Sequence, residues 1–155
     1  LTVGNKKYAD VEADIIELKK QADALQDRLL TLVAEDARVF EPLSKAYGMP
    51  RETEEEKALK AQVMEKCLHD ACEVPLDIMR ACCEAIDLHE QFAAKGTAIA
   101  ISDVGCGVTC CKAALEEARK DRAHADMCNA EARTMLAEYR LKADTIFADV
   151  ERRFA

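Results

Sequence analysis

The chain has 155 residues, 50% of them hydrophobic and 34% charged, with only five glycines and three prolines. That length makes a single domain with room for a core, and the scarcity of chain-breakers beside many Ala, Glu, Lys and Leu predicts an all-α fold. A formal net charge of −8, with no Lys/Arg cluster interleaved with aromatics, argues against nucleic acid as a partner. No apolar run is read as approaching the roughly 20 residues of a membrane span and no signal peptide opens the chain, so the expectation is no membrane and a cytoplasmic location.

In chain order, Val11, Ile15, Leu18, Ala22, Leu25, Leu29 and Leu32 repeat at alternating four- and three-residue steps, with Lys, Asp, Glu and Gln between them. This is a heptad seam. It predicts a long helix from about Tyr8 to at least Ala37 that must pack along another helix of this chain or of a second copy. The next seam position is Asp36. Either the seam has reached solvent there, or a charge that would cost several kcal/mol if buried unpaired is kept for a purpose. The pattern Val39, Phe40, Leu43, Ala46, Tyr47 carries past Pro42, which predicts a kink rather than a stop.

Gly48-Met49-Pro50 ends this element. Thr53 and Glu56 then form a capping box for a helix running through Leu59, Val63, Cys67, Ala71 and Val74. Pro75 kinks or restarts it, and Leu76, Met79, Cys82, Cys83 and Ile86 continue at helical spacing to about Lys95, with Gly96 as the C′ residue. After a short connection, Ala98 to Leu115 is almost wholly small or apolar beyond Ser102-Asp103. Both of these are good N-cap residues, and a helix apolar on nearly every side belongs in the middle of a bundle. Asp103, the one strong acid in the stretch, reads either as a cap or as a carboxylate held at the mouth of a bundle pocket to move protons. A final amphipathic helix follows with Met127, Ala130, Thr134, Ala137, Leu141, Ile146 and Val150. The expected architecture is an elongated, dimeric all-α bundle of about five helices with long, Pro-kinked members, in one domain over 1–155.

The eight cysteines, Cys67, Cys72, Cys82, Cys83, Cys106, Cys110, Cys111 and Cys128, contain no C-x-x-C and read as small buried residues in a reducing compartment. Cys106 and Cys110 have no further ligand at zinc spacing, so no metal is expected. His69, His89 and His124 are scattered on charged helical stretches and read as surface residues rather than ligands.

Three pieces carry a resemblance: L-T-V-G-N-K-K-Y-A-D at Leu1–Asp10, A-Y-G-M-P-R-E-T-E-E-E-K at Ala46–Lys57 with E-V-P-L at Glu73–Leu76, and A-I-S-D-V-G-C-G at Ala100–Gly107. In order and spacing they resemble the cyclodeaminase/cyclohydrolase family of folate one-carbon enzymes over most of the chain. Two departures accompany the match. Family members begin with a further helix and a Pro-Gly-Gly-Gly-Ser-like segment, which this sequence is expected to lack. They also carry an Asn-containing run after the helix ending near Leu115, where this chain passes to Lys120-Asp121-Arg122.

The resemblance implies an all-helical homodimer that binds a tetrahydrofolate, polyglutamylated or not, in a cleft near the subunit boundary, with no tightly bound cofactor. It implies formimidoyltetrahydrofolate cyclodeaminase activity, which closes 5-formiminotetrahydrofolate to 5,10-methenyltetrahydrofolate with loss of ammonia, or the related methenyltetrahydrofolate cyclohydrolase activity. Either reaction needs positioning and proton transfer rather than a nucleophilic side chain. On that reading Asp103 is the proton shuttle, Asp36 a second acid, and Ser102 a substrate-orienting residue or a cap. Lys6, Lys7 and Lys45 are the candidates for the glutamate tail, although exposed lysines equally read as solvated. A rival of another class is a non-catalytic helical dimerisation module, in which Asp36 is a solvated seam end and Asp103 a cap.

Overall fold

The computed structural model describes residues 1–120 and 129–154. Four α-helices lie among them: α1 (Glu12–Tyr47), α2 (Glu54–Lys95), α3 (Ile101–Lys120) and α4 (Asn129–Phe154). Short 3₁₀ turns occupy Lys6–Tyr8 and Ala98–Ala100, and the described residues contain no strand. The expected Met127 start of the last helix, the Asp121-Arg122 passage, His124 and Cys128 lie outside the described residues.

The seam of α1 is packed as its spacing demands. Ile15, Leu18 and Leu25 are buried against Ala81, Ala85 and Leu88 of α2, with Ala22, Leu29 and Leu32 beside them. The two helices run antiparallel, as the ion pairs Asp14–Lys95 at 2.6 Å and Arg28–Glu84 at 2.8 Å require. The capping box at the start of α2 is present: Glu56 N–H donates to Thr53 Oγ1 and Thr53 N–H to Glu56 Oε2, both at 3.1 Å. At the other end of α2 the chain turns at Gly96, where a Cβ would come within 2.6 Å of the Phe92 carbonyl oxygen.

Two expectations need correcting. The first concerns the helix count, which is four among the described residues, because α2 runs unbroken through Pro75 as α1 does through Pro42. A proline inside a helix costs about 3 kcal/mol. Val74 and Leu76 flank Pro75 and are both buried, and each such side chain returns about 1.5–3 kcal/mol.

The second concerns the central element, which is α2 rather than the small-residue helix. One stripe of α2 faces α1, while Leu76, Met79, Cys82 and Cys83 meet Leu115 of α3 and Ala132 and Leu136 of α4. Farther along, Ile86 and Ala93 join Ile101, Val104 and Val108 of α3 and Ala143, Ile146 and Val150 of α4. Only one face of α3 is buried. Asp103, Cys106, Thr109, Cys110, Ala113 and Ala114 are exposed in this chain, so the reading of Cys106 and Cys110 as buried does not hold. The larger side chains of α3 fall on a single stripe, and small residues are readily left in water. Gly105, on the packed face, lets α4 approach so closely that a Cβ there would lie 3.1 Å from Val150 Cγ1. Ala98–Glu117 also proves long and apolar enough to cross a membrane by length and composition, with a mean hydropathy of 1.5. Ile101, Val104, Val108 and Leu115 of this stretch are committed to the core with α2 and α4, while Ile99 is exposed.

Candidate active site

The junction of the N-terminal segment with the α2–α3 connection is built from buried polar contacts. Thr97 N–H donates to Thr2 Oγ1 at 3.2 Å, and both threonines are buried. Tyr8 Oη donates to Thr97 Oγ1 at 3.3 Å. The Thr97 hydroxyl holds the Tyr8 phenol below its ordinary pKa, against a smaller opposing effect of desolvation. Gly4 makes the tight turn that lets this segment fold back, with φ at +77° and its N–H on Glu12 Oε1 at 2.8 Å. The first and last of the three sequence pieces therefore meet in space.

They enclose a cavity of about 280 Å³ lined by Thr2, Ile15, His89, Phe92, Gly96, Thr97, Ala100, Asp103 and Val104. Asp103 is not an N-cap. The turn at Ala98–Ala100 runs directly into α3, so Ser102 and Asp103 fall inside the first helical turn. There the carboxylate stands near the positive end of the helix dipole, just after the turn in which the Ile101 N–H donates to the Ala98 carbonyl. It is solvent-accessible and opens onto the cavity. Ser102, beside it, is half-buried.

Across the cavity stands His89 of α2, half-buried rather than on the surface. Its Nδ1 lies 2.7 Å from the Ala85 carbonyl oxygen. Only a protonated Nδ1 can donate there, which leaves Nε2 with the lone pair in the neutral ring. Nε2 rests against Gly107, where a Cβ would be 1.9 Å away. Gly107 is one turn along α3 from Asp103, about 6 Å by helical rise. The sequence carried a signal for His89, since it falls in step with Met79, Cys82, Ile86 and Ala93 on the buried stripe of α2. Thr2 and Tyr8 lie in the first of the three pieces without a role assigned to them there, and Thr97 carried no signal.

The structure does not gather every expected site residue. Lys6 and Lys7 are exposed on the N-terminal segment, with Lys7 Nζ 5.5 Å from the centre of the Tyr8 ring, so they flank the cavity side of the molecule. Asp36 is exposed on α1. It stands 21 residues beyond the cavity-lining Ile15 on one helix, about 32 Å away. Lys45 is farther still and pairs with Glu41 at 2.7 Å. Asp36 and Lys45 are therefore not brought to the Asp103 cavity by this chain's own fold.

Two larger clefts, of about 450 and 480 Å³, lie between α1 and α2. In the first, Arg28 is spent on Glu84, while Asp87 accepts from Tyr139 and Lys142. In the second, Arg38 is paired with Glu35. No metal-ligand cluster occurs among the described residues.

Comparison with known proteins bears on the family and the fold. The family model described as formiminotransferase-cyclodeaminase matches residues 1–120. A methenyltetrahydrofolate cyclohydrolase of Methylorubrum extorquens is 41% identical over 118 residues, 76% of this chain and 57% of that protein. The formimidoyltransferase-cyclodeaminase of Sus scrofa is 28% identical over 104 residues, 67% of this chain and 19% of that protein. The chain thus spans little more than half of the first relative and about a fifth of the second. A crystal structure of formiminotetrahydrofolate cyclodeaminase from Thermotoga maritima superposes with a TM-score of 0.74 at 20% identity, covering 98% of this chain and 75% of that one, which establishes the shared fold. The family match over most of the chain, on the segments that build the Asp103 cavity, shows that this protein belongs to the formiminotransferase-cyclodeaminase family.

Proposed function

We propose that the chain acts on a one-carbon unit carried by tetrahydrofolate, as a methenyltetrahydrofolate cyclohydrolase. The observation that carries this reading is the Asp103 carboxylate, which opens from the first turn of α3 onto a cavity walled by Thr2, Thr97 and Phe92. At about 280 Å³ the cavity lies just below the usual range of roughly 300–1,000 Å³ for ligand sites. It suits one end of a folate, the pterin ring with its one-carbon unit, better than the whole molecule. The glutamate tail then extends over the exposed N-terminal segment, where Lys6 and Lys7 supply positive charge on an otherwise acidic protein.

In the hydrolysis, water adds to the carbon bridging N5 and N10 and gives up a proton. The tetrahedral adduct then loses its hydroxyl proton as the C–N5 bond breaks, N5 takes up a proton, and the formyl group stays on N10. The reaction needs no nucleophile from the protein, since water attacks the carbon itself. It holds the carbon against water, and Asp103 accepts a proton, a role worth typically 10²–10⁴-fold in rate. Ser102, adjoining, orients the substrate.

The cyclodeaminase reaction is the second reading, since one relative bears that name at 28% identity while the 41% identical relative is named a cyclohydrolase. It passes through a similar tetrahedral carbon, with N10 attacking the formimino carbon and ammonia leaving. Ultraviolet absorbance separates the two: loss of supplied methenyltetrahydrofolate above the spontaneous rate means cyclohydrolase, whereas its appearance from 5-formiminotetrahydrofolate with ammonia release means cyclodeaminase. Neither change would overturn the folate reading.

The partner in the proposed assembly is a second copy of the chain. Beyond the stripe spent on α2, α1 carries Leu30, Val33, Phe40 and Tyr47 at heptad-related spacing, exposed by 64%, 67%, 58% and 60%. A seam of this kind calls for another helix. Asp36 sits between Val33 and Phe40, so pairing on this seam brings it to the rim of the interface. Its proposed role as an acid then belongs to a site that the partner completes.

A further inference from the structure

Asp103 serves the proton, while the substrate must also be held with its one-carbon unit against that carboxylate. We propose that the Thr2 and Thr97 hydroxyls form a paired hydrogen-bond donor for the C4 carbonyl oxygen of the pterin; this rests on the folate reading above. Three observations support it. Both threonines line the Asp103 cavity, and both are buried, at 9% and 7% exposure. Each oxygen already accepts a bond inside the protein: Thr2 Oγ1 from the Thr97 N–H at 3.2 Å, and Thr97 Oγ1 from Tyr8 Oη at 3.3 Å. A hydroxyl also has one proton to give. Among the described residues neither proton has an acceptor, and the Thr97 side chain makes no capping bond to the turn that follows it. Buried donors left unmet are uncommon, and these two belong to the wall of one cavity.

The rest of the lining narrows what they meet. His89 is committed to the Ala85 carbonyl and the Gly107 backbone, Asp103 accepts when ionised, and Ile15, Phe92 and Val104 are apolar. The two hydroxyls are thus the neutral donors open to a ligand there. The Thr97 N–H bond to Thr2 holds the two side chains together, and a carbonyl oxygen has a lone pair for each. On a pterin, the C4 oxygen is the acceptor beside N5, the atom that carries the reacting carbon. The far edge offers the 2-amino group and N3–H, which are donors and suit the threonines badly. Holding the C4 oxygen here leaves N5 and its carbon as the next ring atoms into the space that Asp103 opens onto. The site therefore selects 4-oxo over 4-amino pterins.

The test titrates two probes by calorimetry: 5-formyltetrahydrofolate, and the same compound with an amino group in place of the C4 oxygen. The parent should bind the 4-oxo probe at least about tenfold more tightly, because the 4-amino group turns a donor toward two donors. Thr97→Val should weaken the 4-oxo probe and bring the two affinities within about threefold. Thr97→Ser restores the hydroxyl and should recover the parent ratio. Tyr8→Phe removes the bond behind Thr97 but neither hydroxyl, so it should keep the ratio; a loss as full as in Thr97→Val would assign the effect to loosening of the junction and overturn the donor role. A parent that binds both probes alike, or a Thr97→Val ratio equal to the parent's, overturns the proposal and leaves the folate reading intact. A parent that binds neither probe overturns the proposal, and one that also turns over neither folate overturns the folate reading with it. If Thr97→Val does not fold, Thr2→Val is read in its place, and if neither folds the parent ratio decides.

Discussion

Thr97 N–H donates to Thr2 Oγ1 at 3.2 Å inside the protein, and this bond between residues 95 apart closes the floor of the Asp103 cavity. The N-terminal segment, whose Leu1 and Val3 side chains are exposed, is thereby tied to the end of α2.

Thr2→Val keeps the shape and removes the acceptor, leaving a buried N–H unpaired at a cost of about 1–3 kcal/mol. Thr2→Ser restores an acceptor. Thermal unfolding of the two variants should therefore differ, with Thr2→Val lower and Thr2→Ser near the parent. Equal melting temperatures would mean that water replaces the hydroxyl at no cost.

Stability should decline at alkaline pH. Burial, with Cys111 nearby, raises the Cys82 thiol to about 11, and burial with Cys82 nearby raises Cys83 to about 12. Burial, with its hydrogen bond to Asp87, raises the Tyr139 phenol to about 12. Each folded pKa lies above the ordinary 9.0 of a thiol or 10.0 of a phenol. The stabilisation is therefore complete below those ordinary values and is lost as pH rises through the folded ones. Urea melts at a series of pH values from about 8 upward should show the fall beginning near 9. Tyr139→Phe should make the portion above about 10 shallower.

The exposed α1 seam predicts self-association. Val33→Glu with Phe40→Glu places two charges on it without touching the buried Ile15, Leu18 and Leu25 stripe. Sedimentation of the parent should give a dimer and the double variant a monomer with unchanged helical content. A monomeric parent at tens of micromolar would remove the basis for assigning Asp36 to a shared site.

The helices are legible in the sequence because each rests on local patterns: the seam of α1, the Thr53–Glu56 box, and the glycine at the end of α2. What escaped reading depends on which helix meets which. The small-residue stretch looks central by composition, yet Ile101, Val104, Val108 and Leu115 fall on one stripe and only that stripe is covered. His89 looks like a surface residue among charged neighbours until its step with Met79, Ile86 and Ala93 is followed across α2. Its fit to Gly107 is a relation between two helices and has no trace in either segment alone. Asp103 is legible as the acid at the head of α3. That Asp36 lies about 32 Å along α1 from the cavity follows only once the cavity is located beside Ile15.

The most direct measurement is the rate at which Asp103→Asn consumes methenyltetrahydrofolate, read beside the parent at matched folded concentration. Asp103 is exposed in the first turn of α3, where losing its charge removes only about 0.3–1 kcal/mol of helix-dipole interaction, so the melting temperature should change little. Turnover by the variant should fall by about 10²–10⁴-fold. A parent with clear activity and an Asp103→Asn variant that matches it would contradict the placement of the chemistry at the head of α3.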